Sequence, residues 1–389
     1  MSPASTVSVM MPPCSRHQLC RAGAGLQPYA REAREKRPAI AGPDRGGHNE
    51  RRVGRRGRAA YFHRTVARSP LTMPSDTLSR FAPVSMALAH TDKARFAAEL
   101  GRSFREFGFA AISDHGLDPA LIQAAYDKAA QFFALPEETK LAYLVEGGGG
   151  ARGYTPFGKE IAKDAKHVDL KEFWHVGRDL PAGHKYEADM APNLVPAEVE
   201  GWRETVHGLY GAFDALGVQV LRAIALDLGL EETFFDDTVK DGNSVMRLLH
   251  YPPVTGDPGG SIRAEAHGDI NTITLLLGAE EPGLQVMTRD GEWIDMNPPP
   301  GCLVVNMGDM LARSTNDVLP STQHRVINPA GARTGFSRYS LPFFLHYRPD
   351  YMIETLPGCA GPDNPDKYPE PMRANDFLNQ RLREIGLLK

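Results

Sequence analysis

The chain is poor in cysteine. Its 389 residues hold four, Cys14, Cys20, Cys302 and Cys359, at spacings that fit neither a zinc-ligand set nor a disulfide framework. A reducing, cytoplasmic compartment is the expectation that follows. Long apolar runs are wanting too. None approaches the roughly 20 uninterrupted residues that span a bilayer, so no membrane is expected as a partner. Charge of one sign is not in large excess either. The formal net charge is −4 and the sequence pI about 6.4, which gives no reason to expect nucleic acid. The remainder, 42% hydrophobic and 24% charged, is ordinary globular composition for one large or two smaller domains. It carries no sign of oligomeric state.

The near-neutral average conceals an asymmetry. Residues 1–72 hold 14 Lys and Arg against 4 Asp and Glu, which leaves −14 for the other 317. This segment includes Arg51-Arg52 and Arg55-Arg56-Gly57-Arg58 and has little hydrophobic periodicity. It cannot bury enough apolar surface to offset its ordering entropy, so it is expected to be disordered. It could bind an anionic partner, serve as an Arg-rich targeting peptide, or be a non-native extension ahead of a start at Met73. Its Arg bias, which resembles GC-rich DNA read in an unselected frame, favours the last reading.

From Met73 onward the texture is ordered. Phe96, Ala97, Leu100, Phe104 and Phe107 fall at helical spacing within 91–107, with Thr91 and Asp92 as cap candidates. A strand fits 109–113, and a helix fits 118–134, opened by Asp118-Pro119. The four glycines at 147–150 read as a loop. They lack the Lys-Ser/Thr ending of a phosphate loop, so nucleotide binding there is rejected. An apolar stripe from Trp202 to Ile224 predicts a helix within 197–228. Short β-rich runs then follow at 245–251, 272–277, 284–288, 302–306, 324–328 and 336–345, separated by Gly, Pro, Asp and Asn. A last helix fits 371–387. The expected fold is mainly β with flanking α. It comprises an N-terminal α/β region (73–200), a buttressing helical segment (201–243), a β core with the chemistry (244–350) and a C-terminal tail and helix (351–389).

The chemistry rests first on His267-Gly268-Asp269 and His324. Two imidazoles and one carboxylate on one face of an octahedral ion leave three positions open, the signature of non-haem Fe(II) oxygenases. In a strand, positions i and i+2 share a face, so His267 and Asp269 are expected to grip one ion from a single strand. With 13 histidines, about one His-X-Asp arises by chance, so context decides. His90-Thr91-Asp92 is such a decoy: it lies at a helix start, where capping accounts for Thr91 and Asp92. His267-Gly268-Asp269 instead precedes a β-branched, aliphatic run, and His324 opens another strand. Fourteen residues further on, Arg338 and Ser340 share a strand face. A guanidinium fork with a hydroxyl beside it suits a carboxylate.

From about Arg80 to Asp350 the chain resembles the isopenicillin N synthase-like branch of the 2-oxoglutarate/Fe(II)-dependent dioxygenases. The matching stretches include Phe107-Gly108-Phe109 with His115-Gly116, Leu248-Leu249-His250-Tyr251-Pro252-Pro253, and His267-Gly268-Asp269. Val305-Asn306-Met307-Gly308-Asp309, Pro320-Ser321-Thr322-Gln323-His324-Arg325-Val326 and Arg338-Tyr339-Ser340-Leu341-Pro342-Phe343-Phe344 continue them in order. The resemblance implies a double-stranded β-helix (jelly-roll) core. It implies Fe(II) on His267, Asp269 and His324, and 2-oxoglutarate held by Arg338, Ser340 and Tyr251. With O2, the co-substrate would be decarboxylated to succinate and CO2 while a C–H bond of a small molecule is oxidised, most simply hydroxylated. The chain departs from many plant relatives at Leu249, where they carry Asn, and in a longer loop at 328–335.

Two alternatives stay open. Arg338 could clamp the substrate's own carboxylate, as in isopenicillin N synthase-like and aminocyclopropane-carboxylate-oxidase-like members that do not use 2-oxoglutarate. A jelly-roll protein could also bind a metal or small acid without catalysis. Candidate substrate contacts are Arg152, Tyr154, Phe173, His175 and Phe344; for Phe173 and Phe344, core packing is the competing reading. Asn306 and Asp309 read as structural residues at a strand end.

Overall fold

The computed structural model describes residues 81–146, 151–160, 167–277, 283–330 and 334–385. The basic segment 1–72, the glycine run 147–150 and part of the 328–335 loop lie outside them.

Helix α1 (Lys93–Phe107) begins at Asp92, whose carboxylate accepts the Arg95 N–H at 3.1 Å. It ends on Gly108 at φ 68°, where a Cβ would collide with the Pro320 carbonyl and Thr322. His90-Thr91-Asp92 is therefore a helix boundary, although Thr91 bonds back to the Ala87 carbonyl and only Asp92 caps. Helix α2 (Pro119–Phe133) opens at Asp118, which accepts from the Ala120 N–H at 2.8 Å.

Helix α3 (Gly208–Asp227) runs on from a π-helical turn at Arg203–His207, later than the predicted start at 197. The combined span passes for a membrane-crossing helix by length and mean hydropathy, although Asp214, Gln219 and Arg222 interrupt its apolar run. More than half of its apolar window is buried inside the protein, and it packs on the central sheet as a core helix. Helix α4 (Ala374–Glu384) closes the described chain.

The strands of the two main sheets are β1 (Val84–Ser85), β2 (Phe109–Ser113), β3 (Gly153–Thr155), β4 (Glu172–Gly177), β5 (Val245–Tyr251), β6 (Ala264–His267) and β7 (Ile273–Leu277). After them come β8 (Leu284–Met287), β9 (Trp293–Asp295), β10 (Leu303–Met307), β11 (His324–Val326), β12 (Arg338–Ser340) and β13 (Pro342–Leu345). The large sheet runs β1-β2-β10-β7-β13-β5-β4-β3, with β12 also paired to β5; the small one runs β6-β11-β8-β9. The two sheets pack against each other as the expected double-stranded β-helix (jelly roll). Helices cover the outer face of the large sheet over the main core, including Phe104, Phe132, Trp174, Phe213 and Phe343. A second cluster, with Phe109, Ala264, Val286, Val304 and Val326, lies between the two sheets.

The single strand predicted for 336–345 is two, β12 and β13, interrupted at Leu341. β12 pairs with β5, whereas β13 pairs with both β5 and β7. Strands β1, β3, β4, β6 and β9 fall outside the strands predicted from the sequence. β4 is buried at every position, so it lacks the alternation that marks a half-exposed strand.

Candidate metal centre

β6 and β11 pair antiparallel with His267 directly opposite His324, which brings the two ring centroids to 4.4 Å. β6 stops at His267, so Asp269 lies in the turn beyond it. This corrects the single-strand expectation: the turn, not the two-residue strand period, delivers the carboxylate. The turn is fixed by its main chain, since the Asp309 N–H donates to the Asp269 carbonyl at 2.7 Å.

The side chains are orientated as a set. Asp269 Oδ2 accepts from Thr274 Oγ1 at 2.5 Å and from Asn306 Nδ2 at 2.8 Å. That leaves Oδ1 at 4.0 Å from His267 Nε2 and 3.8 Å from His324 Nε2. His267 Nδ1 faces the Glu265 carbonyl at 2.6 Å and His324 Nδ1 the Thr322 carbonyl at 3.2 Å. Each carbonyl selects the Nδ1–H tautomer and turns the Nε2 lone pair inward. The three ligand atoms lie within 4.8 Å of one another. Two imidazoles and one carboxylate in this arrangement fit a divalent first-row ion with open positions.

The charges agree with that fit. Burial and the neighbouring His324 lower the His267 pKa, which favours the neutral, ligating imidazole. Burial works against the Asp269 anion, but His324, His267 and the Asn306 and Thr274 donors together hold its pKa below the usual carboxylate range. Asn306, which by sequence reads as a strand-end structural residue, bonds the Asp269 carboxylate directly, in register with Thr274 across β10 and β7.

Arg338 and Ser340 lie on β12, paired with Tyr251 and Leu249 of β5 respectively. All three candidate co-substrate residues, Arg338, Ser340 and Tyr251, are buried. Arg338 Cζ is 5.1 Å from the Tyr251 ring centroid, and Arg263, which the sequence did not single out, stands 5.9 Å from the same ring. Leu249, the departure from plant relatives, packs with Phe173 and Tyr251 in a small apolar cluster.

Of the candidate substrate contacts, Phe173 and His175 lie on the face of β4 turned away from the helices, because Trp174 and Val176 between them enter the helix-side core. Arg247 joins them: its Nε donates to His175 Nε2 at 2.5 Å, and its Cζ lies 4.1 Å from the Phe173 ring and 5.5 Å from that of Phe344. A charge ladder, half-buried at Arg247 and Glu160 and buried at Lys171 and Asp169, runs from Arg247 to Glu160 at 3.2 Å, from Glu160 to Lys171 at 3.3 Å and from Lys171 to Asp169 at 2.8 Å. Asp169 accepts the Glu265 N–H, two residues from His267. Burial opposes the Glu160 charge, but Arg247 and Lys171 hold its pKa well below the usual range.

Tyr154 is a correction. It faces the helices, edge-on to Phe132, and donates to Glu172 Oε2 at 2.5 Å, so it belongs to the core and not to a substrate wall. Arg247 and Thr274 carried no signal beyond their strand positions. Asn306 could have been found from its family motif.

A two-histidine, one-carboxylate centre in a double-stranded β-helix, with a buried arginine on a strand of the other sheet, defines a non-haem oxygenase. Residues 78–198 match the family described as non-haem dioxygenase in morphine synthesis N-terminal, and residues 242–347 match the 2OG-Fe(II) oxygenase superfamily. The 2-oxoglutarate-Fe(II) type oxidoreductase hxnY of Emericella nidulans is 36% identical over 302 residues, covering 75% of this chain and 85% of the relative. A chain from Caulobacter crescentus assigned to the 2OG-Fe(II) oxygenase family superposes with a TM-score of 0.74 at 60% identity, covering 78% of this chain and 99% of that one. A full-length Neurospora crassa protein, solved in complex with α-KG and 5-formyluracil, gives 0.69 at 32%, covering 78% and 95%. The chain belongs to the 2OG-Fe(II) oxygenase superfamily and is a 2-oxoglutarate/Fe(II)-dependent oxidoreductase, using Fe(II), 2-oxoglutarate and O2.

Proposed function

We propose that this enzyme hydroxylates an unactivated C–H bond of a small molecule in the cytoplasm. In this reading His267, Asp269 and His324 hold the Fe(II), and Arg338, Ser340 and Tyr251 hold the distal carboxylate of 2-oxoglutarate. The observation that carries it is the convergence of three donor atoms within 4.8 Å, each held in place through its other polar atom. Fe(II) and 2-oxoglutarate, when bound, supply the oxidising chemistry, with succinate and CO2 as co-products. The chain's own part is positioning. The carbonyls of Glu265 and Thr322 fix the two imidazoles, Asn306 and Thr274 fix the carboxylate, and the Arg338 fork receives a carboxylate bidentately.

Small-molecule ligands in a related structure, 5-formyluracil with α-KG in the Neurospora crassa protein, support a substrate of that size. The test is a metabolite-extract screen that follows substrate-dependent succinate release together with O2 uptake. The wild type should yield succinate and an oxygenated product, and His267→Ala, Asp269→Ala and His324→Ala should yield neither. O2 uptake without succinate, or succinate formation that survives these substitutions, would remove the reading.

A further inference from the structure

Two of the cations beside the metal centre are met by carboxylates. Arg247 is paired with Glu160, and Lys171 with Asp169 and Glu160; Arg338 is assigned to the co-substrate. Arg152 is left over. It is 2% exposed, and its one hydrogen bond among the described residues runs from Nη1 to the carbonyl of its neighbour Ala151 at 2.7 Å. Nε and Nη2 have no partner among the described residues. Asp179, whose charge reaches it, is itself bonded to Asn193, Arg203 and His207. A buried guanidinium with two idle donors is a cost that folded proteins rarely leave standing without a ligand or ion to meet it.

Gly177 locates the group. A Cβ there would lie 1.9 Å from Arg152 Cζ, so the guanidinium rests directly on the glycine. Phe173, His175 and Gly177 alternate along β4 with core residues Trp174 and Val176, which puts Arg152 on the same face as His175. Across this face Arg247 lies over both Phe173 and Phe344, and Phe344 stands opposite Thr274, whose hydroxyl bonds Asp269. Arg152 thus ends a wall that begins at the metal centre. Nε and Nη2 also form one edge of the guanidinium, the edge that meets two carboxylate oxygens in parallel.

We propose that Arg152 anchors a substrate subsite for an anionic group, a carboxylate or comparable oxyanion, from which the rest of the substrate extends along His175 and Phe344 toward the metal. This deepens the oxygenase reading and rests on it. Two readouts keep their failures apart: 2-oxoglutarate decarboxylation without substrate reports on the co-substrate chemistry, and equilibrium binding reports on the subsite.

The experiment is calorimetry and thermal shift on protein loaded with Mn(II) and 2-oxoglutarate. The probes are aliphatic and aromatic monocarboxylates, each paired with its own primary amide. At least one acid should bind about 10-fold or more tightly than its amide. Arg152→Gln should weaken that acid roughly 10- to 100-fold, as expected for losing a charged hydrogen bond, and change the amide little. Gly177→Ala, whose methyl displaces the guanidinium, should reproduce the loss and add nothing in the Arg152→Gln background; it carries the test if Arg152→Gln folds poorly. Amides binding as tightly as acids, no acid binding, or undiminished acid binding by both variants would overturn the proposal.

Discussion

Asn306→Ala is the substitution that most directly probes how the centre is held. Asp269 Oδ2 has two donors, Thr274 Oγ1 at 2.5 Å and Asn306 Nδ2 at 2.8 Å, and all three residues are buried. A hydrogen bond to a charged acceptor contributes about 1.5–3 kcal/mol. At about 1.4 kcal/mol per decade, its loss should weaken Fe(II) binding roughly 10- to 100-fold, the range seen when an outer partner of a metal ligand is removed. Thr274→Val keeps the shape and removes the other donor, so it should fall in the same range. The assay is an anaerobic Fe(II) titration in excess 2-oxoglutarate, followed by visible absorption, with circular dichroism to verify folding. Affinities within about twofold of wild type for both variants would refute the reasoning. The Asp309 N–H to Asp269 carbonyl bond at 2.7 Å would then be sufficient to fix the ligand.

Arg338→Lys keeps the charge but loses the fork, so the KM for 2-oxoglutarate should rise by about 10-fold or more, read from succinate release. Tyr154→Phe tests the reassignment of that residue to the core. It removes a hydrogen bond to Glu172 and should lower stability by about 1–3 kcal/mol in denaturant unfolding, while leaving the KM for substrate unchanged. His346 is buried, and burial pushes its pKa down to about 4. The unfolded chain, near 6.5, therefore binds the extra proton first. Its contribution to stability is complete above about pH 6.5 and is lost as pH falls toward 4, with a slope of up to about 1.4 kcal/mol per pH unit. Unfolding of metal-free protein across that window should show this contribution, and His346→Gln should reduce the slope while leaving the part that His267, also lowered, supplies.

Much of the site can be read along the chain because its elements are local. The strand at 245–251, the Asp118-Pro119 helix start and the Asp92 cap are each legible from a few neighbouring residues. Where a strand is buried on both faces, as in β4, the alternation vanishes and the signal with it. Leu341 likewise looks like the middle of one strand. The break there depends on a change of pairing between β12 and β13 that no local pattern encodes.

Sequence alone determined which donor groups are available, the imidazoles of His267 and His324, the carboxylate of Asp269, and Arg338 with Ser340 as the proposed carboxylate site, since residue type and order along the chain are covalent facts. Tertiary structure decided what holds and surrounds them. It put Asp269 in a turn beyond β6, set His267 opposite His324, brought Asn306 and Thr274 to the carboxylate, and sent Tyr154 into the core while resting Arg152 on Gly177 with two donor atoms unmet among the described residues. Those relations depend on register between strands distant in sequence. A shift of one residue would turn each of these side chains to the opposite face.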